Sequence, residues 1–359
     1  MIKHGIDNAA SFQTWSDLWR LVSKEAPAFF SPQYYISYQE VEQAEAECFW
    51  GYQDEQNFLF YPYLRKSVNK LGYELSQEYY DVSGAYGFNG PLGIVSDRDF
   101  LKTYNQLLQE HFRDCKVVTE LVRYCPIAEN CRWHDYTDQI DVLDNVYIDL
   151  SRGSHWVWHE SFEYRVRKTV RKGQSYGLKT TFSRGSEIQE RDLVHFYTIY
   201  TSTMSRNEAD NYYFFPRSFF SSLVHNLGDM AVLALTWLKD KPISAELVLV
   251  GAKIANGFLG GTLGEYYEYK ANTFQRWELV KYLCEMGVEK YSMGGGATRG
   301  DGIYKFKMSF AQGCVNPFYI GTYVYLPEVF AEIQTQWRAK YPRAAQLHSH
   351  KIQGYRIQA

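Results

Sequence analysis

The feature that most limits what this chain can fold into is an order of elements that occurs twice. In the second half, residues 192–204 have helical apolar spacing, 230–238 and 243–250 read as a hairpin around a turn at 239–242, and 255–263 as a third strand. A helix follows, capped by Asn272 or Thr273, with Phe274, Trp277, Val280 and Leu283 or Cys284 as its apolar stripe. Gly287 ends it, and 288–293 is a buried strand. The first half gives a helix at 15–24, a hairpin from 47–52 and 57–64, a helix at 100–112 and a strand at 117–123. With 359 residues, 45% apolar and 22% charged, the chain is long enough for two cores. The expectation is an α/β (α+β) protein of two tandem units, 1–150 and 151–317, each a mixed, mostly antiparallel sheet flanked by helices. The segment 318–359, with a strand from Tyr319 and a helix at 327–341, is expected to pack back on the first unit. The polar tail with His348 and His350 is expected to be poorly ordered.

Composition removes several function classes. A formal net charge of −3 argues against non-specific nucleic-acid binding by the whole molecule, so any phosphate contact must come from a local basic patch. The six cysteines form no CxxC pair and no metal-type spacing, which fits free thiols in a reducing cytoplasm. His155 and His159 lie four apart in HWVWHE but lack the HExxH order and a third ligand, so they are read as structural and no metal is expected. No apolar signal core and no run of about 18 apolar residues occurs, so the expected location is cytoplasmic. The 31 tyrosines exceed core needs and suit ligand clefts.

The chemistry concentrates in 291–313, YSMGGGATRGDGIYKFKMSFAQG. Gly294, Gly295 and Gly296 allow positive φ and close approach by another molecule. From Tyr304, the residues Tyr304, Phe306, Met308 and Phe310 alternate with Lys305, Lys307 and Ser309, so an extended chain would place aromatics on one face and two ammonium groups on the other. That pattern suits an anionic or carbonyl ligand; it equally describes a glycine turn and an edge strand whose lysines discourage pairing. Which lysine faces a cleft depends on register. Between the halves, FEYRVRKTVRKGQSYGLK places Phe162, Val166 and Val170 every four residues, with Arg165, Arg167, Lys168, Arg171 and Lys172 around them. It reads as an amphipathic helix ending at Gly173, whose charged face is either solvated or a phosphate site.

With these features in place, the chain resembles the Fem-type family of aminoacyl and acyl transferases, built from tandem GNAT-like domains. The resemblance covers most of the chain. It rests on Gly294 to Gly296, Asp301 and Phe306 with Lys307, on the basic helix, on Arg206 after the helix of the second half, and on YDVSGAYGFNGPLG. It implies transfer of an activated acyl group, often an amino acid on tRNA, to an amine of a cell-envelope glycan or peptidoglycan precursor. Lys307 would then meet the oxyanion formed when the amine adds to the carbonyl. Phe306 would pin its strand or pack in the core, and Lys305, Arg206, Arg167, Lys168 and Arg171 would hold phosphates of the acceptor or of the tRNA acceptor end. Arg206 could instead pair with Glu208. Tyr86 and Asn89 would shape an acceptor cleft or form a turn.

Three departures bear on mechanism. Where some Fem-type enzymes carry an Asp after an Arg-aromatic pair, this chain reads Arg123, Tyr124, Cys125, Pro126, so Asp301 is the acidic substitute, either as general base or as an Asx turn. GFLGGTL, with Phe258 and Gly260, replaces a tyrosine-bearing strand. No glycine occurs between Tyr266 and Phe274, where an acyl-CoA enzyme offers a Gly-rich loop to pyrophosphate, which favours aminoacyl-tRNA as donor with acyl-CoA as the alternative and no bound cofactor. By the same resemblance the acceptor would be a nucleotide- or lipid-linked sugar, and the cytoplasmic protein would work at the inner face of the membrane. Two rival readings are an acyl-CoA dependent N-acyltransferase on an amino sugar of a surface polysaccharide, and a non-catalytic module binding a glycan or an RNA end.

Overall fold

The computed structural model describes residues 2–358. The chain divides into two compact units, one of Phe29–Val142 with the N-terminal residues through Leu21 and the C-terminal residues from Phe318, the other of Leu143–Pro317 with Val22–Ala28. In chain order the first unit begins with β1 (Lys3–Asn8), α1 (Gln13–Val22), the short α2 (Pro32–Ile36) and α3 (Gln39–Glu42), β2 (Glu45–Asp54) and β3 (Asn57–Ser67). It continues with β4 (Tyr80–Ser83), β5 (Leu92–Val95), α4 (Arg98–Asp114) and β6 (Val117–Arg123). Next come β7 (Asp138–Asp149), α5 (Gly153–Trp156), α6 (Tyr164–Ser175), β8 (Lys179–Arg184), α7 (Glu190–Arg206), α8 (Arg217–Leu227), β9 (Ala231–Leu238), β10 (Lys241–Val250) and β11 (Ile254–Thr262). The second unit closes with α9 (Ala271–Glu285), β12 (Lys290–Gly294) and α10 (Gly302–Met308); then β13 (Val315–Val324), α11 (Pro327–Lys340) and α12 (Pro342–His348) follow.

The strands of the two units share one pattern. In the first unit the order is β1-β2-β3-β4-β6-β13, with β5 on β3; every pair is antiparallel except β4 with β6. In the second it is β8-β9-β10-β11-β12-β7, again antiparallel except β11 with β12. A parallel step needs a crossover, and a helix supplies it each time, α4 in one unit and α9 in the other. The inner strands β3 and β10 are nearly continuous buried runs, as expected of strands covered on both faces. Helix α9 buries residues around its whole circumference, so the polar Gln275 must be satisfied inside: it donates to Ala234 O at 3.0 Å and accepts from Ser244 Oγ at 3.0 Å.

At the parallel step the units differ. In the first, Asn89 continues the pairing beyond β4: its N–H donates to Arg123 O at 2.8 Å and its side-chain oxygen accepts from Arg123 N at 2.7 Å. In the second, β11 and β12 pair only at Ile254, Ala255 and Asn256 with Lys290, Tyr291 and Ser292, and then part. The edge of β11 from Gly257 to Thr262 is left without a partner strand on that side among the described residues.

Three expectations require correction. Residues 304–310 are not a strand: Gly302–Met308 is helix α10. The alternation is too short to exclude helical spacing, Phe306 and Phe310 make a ring contact at 5.0 Å as i,i+4 neighbours, and Asp301 caps the turn. Helix α9 is not capped by Asn272 or Thr273; Lys270, at φ 60°, precedes its first residue and no side chain caps it. The tail is not loose either. Tyr355 is fully buried and donates to Asp81 Oδ1 at 2.5 Å, and Arg356 pairs with Asp81 Oδ2 at 2.8 Å, because the buried Asp81 carboxylate needs those donors. No helix is long and apolar enough to cross a membrane among the described residues.

The first unit also encloses an acid among aromatics. Glu120 accepts from Tyr325 OH at 2.7 Å, and its other oxygen lies 3.6 Å from His134 Nε2, both residues being fully buried. Tyr124 OH meets His134 Nδ1 at 2.9 Å. Burial pushes Glu120 up from 4.5 to about 7 and His134 down from 6.5 to about 3, so neutral forms are favoured on both. The stability linked to Glu120 is full below pH 4.5 and is lost as pH rises through about 7; that linked to His134 is full above 6.5 and is lost as pH falls toward about 3. Between them the two trends oppose, and above pH 6.5 only the Glu120 loss remains. Glu120→Gln should therefore remove a decline on the order of 2 kcal/mol between pH 5 and 8, read by urea unfolding at both values. An unchanged pH slope in the variant would refute this.

Candidate active site

The site grows from the parting of β11 and β12. Beyond Ser292, the chain leaves β12 through Gly294 at φ 73°, a conformation that disfavours side chains, and passes under Lys307 and Asp301. A Cβ on Gly295 would stand 2.8 Å from Asp144 O, and one on Gly296 would collide with Asp301 Oδ1. The glycines thus let the loop fold directly beneath α10. Lys307 reaches back over it and donates to Gly295 O at 2.6 Å, leaving two of its three N–H groups unbonded among the described residues.

Around this ammonium lies a charged cluster that sequence reasoning missed. Glu246 on β10 accepts from Arg276 Nη1 at 2.8 Å and from Tyr291 OH at 2.5 Å, and Arg276 also donates to Tyr291 OH. Gly257 is glycine for this reason, since a Cβ would lie 2.6 Å from Glu246 Oε1. Burial, and then the Arg276 guanidinium, lower Lys307 from 10.5 to about 8, while Glu246 and Asp301 hold it up. Asn256, 2% exposed at the last paired position of β11, has neither amide atom hydrogen-bonded. The signal available was a lone Glu inside the apolar run ISAELVLV, which a half-buried strand would not place there without a partner.

Two expected residues, Lys305 and Phe306, line a cavity on another face of α10. A cavity of about 270 Å³ is lined by Arg165 and Thr169 of α6, Thr273 of α9, and Lys305 and Phe306 of α10. On a helix, positions two apart point roughly 200° from each other, which is why Lys305 lines this cavity while Lys307 turns to the glycine loop. Phe306 is 37% exposed, so it is not a core residue. The uncapped start of α9 adds first-turn N–H groups beside Thr273.

Other residues are placed differently. Asp301 is an N-cap: it accepts from Tyr304 N at 2.7 Å, Ala297 N at 2.6 Å and Thr298 N at 2.9 Å. Those donors, that of Tyr304 foremost, hold its carboxyl below its ordinary value, which makes it a weak base, so the general-base expectation is replaced by a structural one. Arg167 does not face a phosphate; its Nη1 donates to Trp158 O and His159 O, each at 3.1 Å, and to Phe162 O. Lys168 is exposed, Arg171 lies 5.6 Å over the Trp158 ring, and Arg206 lies 4.8 Å over that of Tyr267. Tyr86 and Asn89 belong to the first unit, where Asn89 is buried in sheet pairing rather than lining a cleft. Among the described residues no three His, Cys, Asp or Glu side chains gather to hold a metal.

Residues 160–307 match the family model of an acetyltransferase (GNAT) domain. No curated protein matches the chain by sequence. Among solved structures, FemX is similar at 14% identity with TM-score 0.64, covering 88% of this chain and 97% of that one. A tandem GNAT protein from the clavulanic acid biosynthesis pathway is similar at 10% identity with TM-score 0.52, covering 91% and 99%. So is the C-terminal domain of a putative lysylphosphatidylglycerol synthetase from Agrobacterium fabrum, at 11% identity and TM-score 0.53, covering 87% and 92%. The chain therefore has a Fem-like tandem GNAT fold, and its second unit carries an acyltransferase domain.

Removing the carboxylate tests the cluster. Glu246→Ala leaves Arg276 enclosed without its anion and should cost about 3–5 kcal/mol in urea unfolding. Glu246→Gln, which retains the shape, should cost less and move the midpoint for amine-reagent labelling of Lys307 further below pH 8. A midpoint that stays put or rises would show that Lys307 does not feel Glu246.

Proposed function

We propose that this chain transfers an activated acyl group to an amine of a cell-envelope glycan or peptidoglycan precursor, with Lys307 as the cation that meets the oxyanion. The observation that carries the reading is the ammonium of Lys307, pinned to Gly295 O within the Glu246–Arg276 cluster and with its other two N–H groups unbonded among the described residues, while Lys305 of the same helix lines a cavity on another face with Arg165. As the acceptor amine adds to the donor carbonyl, the C=O π electrons move onto oxygen; a donor fixed there beforehand lowers the barrier without reorganisation. Collapse then breaks the bond to the leaving oxygen or sulfur, which takes up, by way of Lys307, the proton that the attacking amine gives up. The donor's phosphates would lie against Arg165, Lys305 and the open start of α9.

Aminoacyl-tRNA is the donor this reading favours, because the turn before α9 lacks glycine and strains Lys270 into positive φ instead. One observation favours acyl-CoA: the unpaired β11 edge from Gly257 to Thr262, beside the unsatisfied Asn256, offers backbone groups to an extended amide-bearing chain. Label transfer from charged tRNA or from acyl-CoA to amino-sugar and peptidoglycan-precursor acceptors, with and without ribonuclease, separates the two.

Lys307→Met should lower kcat about 100- to 1,000-fold with circular dichroism unchanged. Wild-type turnover should fall as pH rises through about 8, when the ammonium is lost, and Lys307→Arg should shift that fall to higher pH. Near-normal turnover in the Met variant would reject Lys307 as the oxyanion cation.

A further inference from the structure

A second cavity, of about 380 Å³, lies one helical turn along from the first and is lined by Ser154, His155, Trp158, Gln174 and Trp277. Thr273 of the first cavity and Trp277 of the second share a face of α9, about 6 Å apart along its axis. The backbone that presents Trp158 is a π-helical turn, Val157–Ser161, a form rare enough to require support. Arg167 supplies it by donating to the Trp158, His159 and Phe162 carbonyls.

The two cavities belong to one rigid aromatic chain. From Phe306, ring contacts run to Phe310 at 5.0 Å, to Phe162 at 5.3 Å, to Trp277 at 5.7 Å and to Trp158 at 4.6 Å. Phe310 and Phe162 are buried, so the tryptophans stand on a fixed base. Arg171 lies 5.6 Å over Trp158, whereas Lys281, 5.7 Å over Trp277, is paired with Glu278 at 2.9 Å, so the positive charge beside the cavity comes chiefly from Arg171. No carboxylate lines the cavity, and the side-chain polar atoms of Ser154, His155, Gln174 and both indoles make no hydrogen bond among the described residues.

We propose that this cavity holds the adenine base of the acyl donor, stacked on Trp158 and Trp277 and read by the Gln174 amide, while the donor's phosphates lie toward Arg165 and Lys305. Indole faces stack on any flat base, and a Gln amide matches the adjacent donor and acceptor that adenine presents. The Arg171 guanidinium over the stack and a lining without a carboxylate favour a nucleotide over a neutral sugar, which ordinarily needs acceptors as well. This deepens the acyl-transfer reading and rests on it. Adenine could come from the 3′-terminal adenosine of a tRNA or from the nucleotide of CoA.

Calorimetric titration of the full chain with 5′-AMP and 5′-UMP tests the subsite without turnover. AMP should bind saturably and at least tenfold more tightly than UMP, and Gln174→Ala, an exposed change at the end of α6, should weaken AMP about tenfold with its circular dichroism unchanged. Trp158→Ala should weaken both nucleotides. Equal affinity for AMP and UMP, no saturable AMP binding, or no effect of Gln174→Ala overturns the proposal. In competition, displacement of AMP by CoA or by a CCA-ended RNA hairpin names the source; displacement by neither overturns it. If Lys307-dependent transfer persists while AMP fails to bind, the subsite alone is lost; if AMP binds as stated but no donor is consumed, the transfer reading is lost.

Discussion

One buried carboxylate, Glu246, ties together the strands and helices from which the site is made. Its acceptor oxygen binds Arg276 of α9 and Tyr291 of β12, and it excludes any side chain at position 257 of β11. A charge nearly shut off from water is tolerated only when its partners are fixed, so the geometry of three elements is set by one side chain of a fourth. The same charge helps keep Lys307 an ammonium against the pull of burial and Arg276. Stability and the poise of the proposed oxyanion donor therefore have a common source.

The duplicated sheet explains why that chemistry sits in one unit. Both units make a single parallel step after an antiparallel series, and strands that twist apart at such a step expose backbone groups that must be satisfied. In the first unit Asn89 fills the gap with main-chain and side-chain bonds to Arg123, and Asn130 donates to Asn89 O at 2.9 Å and Pro91 O at 3.0 Å behind it. In the second, glycines follow Asn256 and the edge stays open. The first unit has spent its opening on structure, whereas the second keeps an opening that a ligand can fill.

The fold was legible where periodicity is long. The hairpin of β9 and β10, the crossover helix α9 and helix α7 follow from runs of eight or more residues whose pattern admits one period. Residues 304–310 misled because a seven-residue alternation also satisfies i,i+4 spacing, and the deciding term was the Asp301 cap, which precedes the alternation by three residues. Lys307 and the glycines were legible because backbone freedom and cation mark themselves in sequence. Glu246, Arg276 and Tyr291 were not, since 45 residues separate Glu246 from Tyr291 and only the fold brings them together. Arg167 and Arg171 looked like phosphate ligands because a basic run does not reveal which carbonyls and rings its members face.

A lysine at about 8 rather than 10.5 is also the better catalyst for the step proposed. An amine that joins a carbonyl brings positive charge to nitrogen and negative charge to oxygen, and the leaving group finally needs a proton. An ordinary lysine would be fully charged at neutral pH but reluctant to give that proton up; a deeply buried one would be neutral and useless to the oxyanion. At about 8, Lys307 remains mostly charged at neutral pH while giving its proton to the departing oxygen or sulfur more readily than an ordinary lysine would. Arg276 and burial push it down and Glu246 stops the fall, so the acid strength of one ammonium is a balance between two fixed opposite charges rather than a property of lysine itself.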